Sequence, residues 1–276
     1  MKIGLALSGG GTKGLAHIGV IKVLEKNKIP INYIAGTSAG AIIGGIYASG
    51  TPIEKIEKKI LSMKTNDFLS FILDFSRPQG GIVKAERMMK YVEELITERK
   101  IENFKIGFAA VSADISNFKE VVIDKGDVLF AIRASIAYPG LVKPVKIKDS
   151  VLVDGGLINN FPMDVLEKLG MNLIIGVKFG DTISKMKEIN YKNVVWRSIK
   201  MMNMFLSFYR NKDIKNCVVL EPNIKGISTF TVSEKLAKKA IKAGEKEAKK
   251  KIPLIKEKIK ELENKPDLNL NISNNL

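Results

Sequence analysis

A single cysteine and a single histidine stand in the 276 residues of this chain, and each scarcity closes a class of explanation. Cys217 alone cannot form an intramolecular disulfide, which suits a reducing compartment; inside the apolar run 217–220 it reads as a small core residue. His17 alone, near the N-terminus, leaves no histidine to follow any later serine, so a hydrolase triad in the order Ser, Asp or Glu, His is excluded. Acidic residues are also short, 29 against 45 basic, for a net charge of +16 that draws the chain to anionic surfaces in a salt-dependent way. No acidic residue falls between Glu25 and Glu54, and no charge of either sign between 29 and 53. That stretch is long enough to cross a bilayer, but Pro30, Asn32, Thr37, Ser38, Ser49 and five glycines interrupt it. A buried parallel strand followed by a buried helix accounts for it better. Gly9-Gly10-Gly11 comes too early for the apolar region of a signal peptide, so a cytoplasmic location is expected. Neither an internal repeat nor a linker is visible, and one domain over 1–265 with a frayed, asparagine-rich end at 266–276 is expected.

Hydrophobic patterning gives the order of elements. Residues 2–8 read as an apolar strand, 15–26 as a helix, 32–37 as a second strand and 38–49 as its helix, with Pro52 opening another. This β-α-β order predicts an α/β fold with a mainly parallel sheet. Further strands are expected at 105–113, 120–124, 151–153, 172–179 and 217–220, and further helices at 84–99, 161–169 and 194–208. The apolar, aromatic segment 60–75 reads as a core helix or as a cover over an apolar substrate site. Residues 235–265 are lysine-dense, with Leu236, Ala240, Gly244, Ala248 and Ile252 forming a narrow stripe by which a solvated helix would pack; a membrane-surface role is the alternative. Nucleic acid is not an expected partner, because no recognition motif or basic-aromatic interleaving accompanies the charge.

Chemistry concentrates at two glycine-rich turns. Gly36-Thr37-Ser38-Ala39-Gly40 sits between the second strand and its helix, the setting of a nucleophile elbow: a serine in a tight turn with glycine neighbours that let strand and helix close around it. Ser8-Gly9-Gly10-Gly11-Thr12-Lys13-Gly14 joins the first strand to the first helix and leaves backbone amides uncovered at a helix start, which suits an anion. The spacing Gly9, Gly11, Gly14 satisfies a dinucleotide fingerprint, yet the acidic residue that would hold a ribose is missing from the end of the second strand. A phosphate-binding P-loop fails as well, for want of Gly-Lys-Ser/Thr at the proper spacing. Amides of Gly9, Gly10 and Gly11 aimed at a developing oxyanion remain. His17, on the opening turns of the first helix, reads as a packing or locally bonded residue, so a carboxylate must serve the serine. Asp154, ending Val151-Leu152-Val153 before two glycines, is the better placed, although a plain strand-end turn residue would look the same; Asp114 is the second candidate.

Four segments in order, the glycine loop ending in Lys13-Gly14, the serine elbow, Ala134-Ser135-Ile136-Ala137-Tyr138-Pro139 and Asp154-Gly155-Gly156, resemble the patatin-like phospholipase family. The resemblance spans roughly residues 2–179 and implies a three-layer α/β/α sandwich with a Ser-Asp dyad, Ser38 and Asp154, that cleaves acyl esters without histidine, metal or cofactor. The resemblance implies a lipid or similar ester as substrate; the charge points separately to peripheral contact with an anionic membrane surface. Lys13 is a candidate for a phosphate head group, and Phe68, Phe71 and Met201 are candidate acyl-chain contacts. The competing reading is a non-catalytic anion- or membrane-binding protein that retains the fold.

Overall fold

All five residues of β1 (Ile3–Leu7) are buried, because the strand is paired in parallel on both edges, with β2 (Tyr33–Thr37) and β7 (Leu173–Val177). A strand covered on both faces has no polar side to show, which is why these segments read as continuous apolar runs. The structure is a computed structural model and describes residues 1–63, 84–180, 189–229, 231 and 233–264. Its sheet also contains β3 (Gly107–Asp114), β4 (Lys119–Ile123), β5 (Val145–Ile147), β6 (Ser150–Asp154) and β8 (Cys217–Leu220), in the order β5-β6-β3-β2-β1-β7-β8 with β4 also on β3. Strands β1, β2, β3, β7 and β8 are parallel; β4, β5 and β6 pair antiparallel.

Eight helices are described: α1 (Ala16–Lys26), α2 (Ala39–Ala48), α3 (Ile53–Ser62), α4 (Glu86–Glu93), α5 (Val128–Ser135), α6 (Met163–Lys168), α7 (Tyr191–Asn211) and α8 (Glu234–Glu263). Ile3, Leu5 and Leu7 point into the larger core with α1, α2, α3, α5 and α8, while Ala6, Ala35 and Val111 face Phe161, Met163 and Leu166 on the other side. Helices therefore cover both faces of a mainly parallel sheet, the three-layer arrangement expected. The uncharged stretch resolves into β2 and α2, and among the described residues no helix is long and apolar enough to cross a membrane.

The lysine-rich C-terminal helix packs as a structural element. Ala237, Ala240, Ile241, Gly244, Ala248, Ile252 and Ile255 are its buried stripe, so Ala237 rather than Leu236 begins the seam. A methyl on Gly244 would lie 2.0 Å from Ala16 O, so α8 crosses α1 at backbone distance. Lys22 closes the junction, bridging Glu57 on α3 at 2.6 Å and Glu245 on α8 at 2.8 Å.

Other expectations shift at their edges. The helix expected over 84–99 is only Glu86–Glu93, β5 is an additional short strand, and α7 extends beyond 194–208 at both ends. Most of the 60–75 segment, with Phe68 and Phe71, and the 266–276 end lie outside the described residues.

Register determines where the chemistry sits. β2 pairs with Gly107–Val111 of β3, and β6 with Ser112–Asp114. Strand β4 pairs with Ala110 through Asp114, overlapping both, so β2 and β6 must share the opposite edge of β3. They run toward each other along it: Thr37 pairs with Val111 and Asp154 with the next residue, Ser112. Two strands thus end head to head, one delivering Ser38 and the other Asp154.

Candidate active site

Ser38 has φ 54° and ψ −118°, a backbone conformation that costs a residue with a side chain about 1–3 kcal/mol. The surroundings enforce it. A methyl on Gly40 would sit 2.1 Å from Leu7 O, and one on Gly36 2.6 Å from Gly40 C, so strand and helix touch through backbone on either side of the serine. Thr37 Oγ1 donates to Asn159 O at 2.8 Å, and Ser38 N–H donates to Ser135 Oγ at 2.9 Å, which in turn donates to Val111 O at 2.6 Å. Ser135→Ala is expected to cost about 1–3 kcal/mol, because a buried carbonyl and the serine amide both lose their partner. Its fluorophosphonate labelling rate at Ser38 should fall with the lost restraint; a variant with wild-type stability and labelling rate would remove Ser135 from the elbow.

Asp154 is 2% exposed. Its Oδ1 accepts Gly156 N–H at 2.7 Å, and the neighbouring Ser38 side chain also acts on the carboxyl. Burial pushes its pKa up to about 6, against the opposing pull of Ser38 and the Gly156 amide. The Asp154 N–H is fixed in turn to Ala137 O at 3.0 Å, so the segment 134–139 holds both residues. Asp114, the other candidate base, is committed elsewhere. Asn117 and Ser150 side chains and two turn amides bind its carboxylate and hold it down to about 2, which makes it the organiser of the β3–β4 turn.

The glycine loop passes directly beneath the serine. A methyl on Gly9 would meet Ser38 Cβ at 3.2 Å and Asn160 Oδ1 at 2.4 Å. Gly9 N–H, however, donates to Asn160 O at 3.1 Å, so this amide is spent on the loop and Gly9 is corrected from an oxyanion donor to a close-approach residue. Gly10 and Gly11 N–H have no acceptor among the described residues. Lys13, half-buried on the 3-10 turn Gly11–Leu15, donates its N–H to Gly10 O at 3.2 Å. His17 is fully buried and bonds through Nε2 to Ser8 O at 2.9 Å, with its ring 5.0 Å from that of Phe179; burial lowers its pKa to about 4. It is a neutral strut under the loop. Met201, expected at the acyl chain, is 54% exposed on α7 and points to solvent. No group of three or more His, Cys, Asp or Glu among the described residues is placed to hold a metal ion.

A family model, patatin-like phospholipase, matches residues 5–167, which takes in the glycine loop, elbow, 134–139 segment and Asp154. The chain belongs to the patatin-like phospholipase family. It is 29% identical over 239 residues to the lysophospholipase NTE1 of Debaryomyces hansenii, covering 86% of this chain but 15% of that protein. An uncharacterised NTE family protein of Mycobacterium bovis is 36% identical over 177 residues, covering 64% of this chain and 48% of that one. The chain thus spans a small part of the length of its fungal relatives. Among solved structures, VipD from Legionella pneumophila superposes with a TM-score of 0.56 at 16% identity, covering 92% of this chain and 67% of that one, a likeness of fold.

Seen as a patatin-like site, several supporting residues had no sequence reading of their own. Ser135 and Tyr138 lie inside the recognised 134–139 segment, yet nothing marked the hydroxyl as the elbow's restraint. Tyr138 has its hydroxyl buried, and burial followed by the charge of Asp154 raises its pKa to about 12. Asn159 and Asn160 tie the stretch after Asp154 to Thr37 and Gly9 through their backbone carbonyls, which no residue type in the sequence announces.

Proposed function

We propose that the chain is a serine acyl hydrolase of lipid esters working through a Ser38-Asp154 dyad, the observation that carries it being the strained Ser38 set against a buried, basic carboxylate where β2 and β6 end head to head. Ser38 Oγ attacks the ester carbonyl carbon while its proton passes to Asp154. Amides of Gly10 and Gly11 face the oxygen that becomes negative. When the bond to the alcohol breaks, Asp154 returns the proton to the departing oxygen, leaving the acyl group on Ser38. Water then repeats the sequence: its proton goes to Asp154, its oxygen to the carbonyl, and Ser38 leaves reprotonated. A carboxyl near 6 suits both halves, since it is ionised at neutral pH yet more basic than an ordinary aspartate. The likeness to lysophospholipases favours a monoacyl phospholipid among the lipid esters.

The test is a fluorophosphonate probe with peptide mapping, run beside hydrolysis of a short-chain nitrophenyl ester and of a lysophospholipid. Labelling of the Ser38 peptide with turnover of at least one ester is expected. An unlabelled protein inert toward both would overturn the reading.

A further inference from the structure

Helix α7 is amphipathic in the wrong sense for a surface helix of a water-soluble body. Its partly buried side is mostly polar: Asn203, Ser207, Arg210 and Asn211, with Ile199 and Met204 among them. Arg210 binds Glu120 on β4 and Asp164 on α6, both at 2.6 Å, while Asn211 donates to Phe161 O at 3.0 Å and accepts Asp164 N–H at 3.2 Å. The outward face carries the apolar side chains. Tyr191 is 81% exposed, Met202 57%, Phe205 51%, Phe208 62% and Tyr209 61%, with Val194, Val195 and Leu206 beside them. A continuous apolar face of this length, about 30 Å, marks an interaction surface.

We propose that this outer face of α7 docks the protein on an anionic lipid bilayer, the helix lying in the interface plane beside the active site. The charge distribution selects the occupant. Arg197, Lys200 and Lys212 are exposed along the same helix and just past its end, and the chain as a whole carries +16. A second copy would meet that charge with its own, whereas an anionic surface attracts it. Tyrosines and phenylalanines among aliphatic side chains are the composition of an interfacial helix rather than of a spanning one. Position agrees, and this part rests on the acyl hydrolase reading: α7 packs on the turn Gly155–Leu157 next to Asp154, and the Trp196 ring lies 5.2 Å from that of Tyr138. A lipid drawn partly from the bilayer would meet the site without crossing open water.

Trp196 is the only tryptophan, so the unaltered protein reports on the contact. Its emission is expected to shift blue on phosphatidylglycerol-containing vesicles, to be quenched by brominated lipid, and to respond less at high salt or with pure phosphatidylcholine. The double variant Phe205→Glu/Tyr209→Glu should sediment with those vesicles at least about tenfold more weakly while hydrolysing a soluble short-chain ester as the wild type does. Wild-type protein that does not sediment with those vesicles, or a double variant that binds them like the wild type, overturns the proposal. So does a wild-type dimer, seen by light scattering, that the double variant splits without loss of vesicle binding. Vesicle binding that depends on this face in a protein with no ester turnover would support the docking and sink the hydrolase reading.

Discussion

Replacing Asp154 with asparagine is expected to lower kcat on a soluble ester by about 10³–10⁴-fold, and Ser38→Ala to leave no turnover above background. Asparagine keeps the shape, and its Oδ1 can still accept Gly156 N–H, so what is lost is the capacity to take the proton from Ser38. The wild type should show the carboxyl in its pH profile: kcat/KM rising about tenfold per pH unit below about 6 and levelling above it, a limb absent in the variant. Stability should move the other way. Because burial raises this carboxyl from 3.8 to about 6, the native state holds a proton that the unfolded chain has released over that interval. The group's contribution is therefore most favourable below about pH 4 and declines as pH rises through 6, leaving a penalty of about 2–3 kcal/mol at pH 8. Asp154→Asn should remove that penalty, so urea unfolding at pH 8 shows a more stable protein that is nearly dead. A variant with full activity, or one destabilised at pH 8 as much as at pH 5, would place the proton acceptor elsewhere.

Residues that must be one chemical type to do their work were legible in the sequence. The strands β1 and β2 announced themselves because burial on both faces forbids polar residues, and Ser38 because only glycine neighbours permit its turn. What escaped depends on which face a residue takes or which partner it finds. Gly9 and Gly10 are indistinguishable as letters, but the first spends its amide on Asn160 and the second does not. Asp114 and Asp154 both end strands; their difference is a register fact, since only β6 meets the end of β2 along the edge of β3. The stripe of α8 read as the seam of a solvated, lysine-rich helix and packs on α1 in that way, while the apolar face that remains uncovered belongs to α7, which had no such reading. Composition cannot say whether a Met- and Phe-rich helix turns those residues inward. Here Arg210 and Asn211 share the inner side with Ile199 and Met204, and their partners on β4, on α6 and at Phe161 turn the other apolar residues outward.

Gly40→Ala should damage stability and chemistry together. Its Cβ would lie 2.1 Å from Leu7 O and 2.6 Å from Leu7 C, atoms of the strand backbone that is itself paired on both edges with β2 and β7. Neither atom can swing aside as a side-chain end would, so α2 has to lift from the sheet. Overpacking a core against movable side chains costs about 1–3 kcal/mol, and a backbone collision belongs at or above the top of that range. The displacement also falls two residues from Ser38, the proposed nucleophile, and a shift of about 1 Å there is worth about 10²-fold in rate. Fluorophosphonate labelling should therefore slow by about that factor at a temperature where the variant is still folded. Gly180→Ala is the matched control: among the described residues the nearest atom to its added methyl is the flexible end of Glu221 at 4.0 Å, so its unfolding midpoint and labelling rate should match the wild type. A Gly40→Ala protein that unfolds and labels like that control would mean that strand and helix do not meet through backbone at the elbow, and the strained serine would lose the contact that holds it.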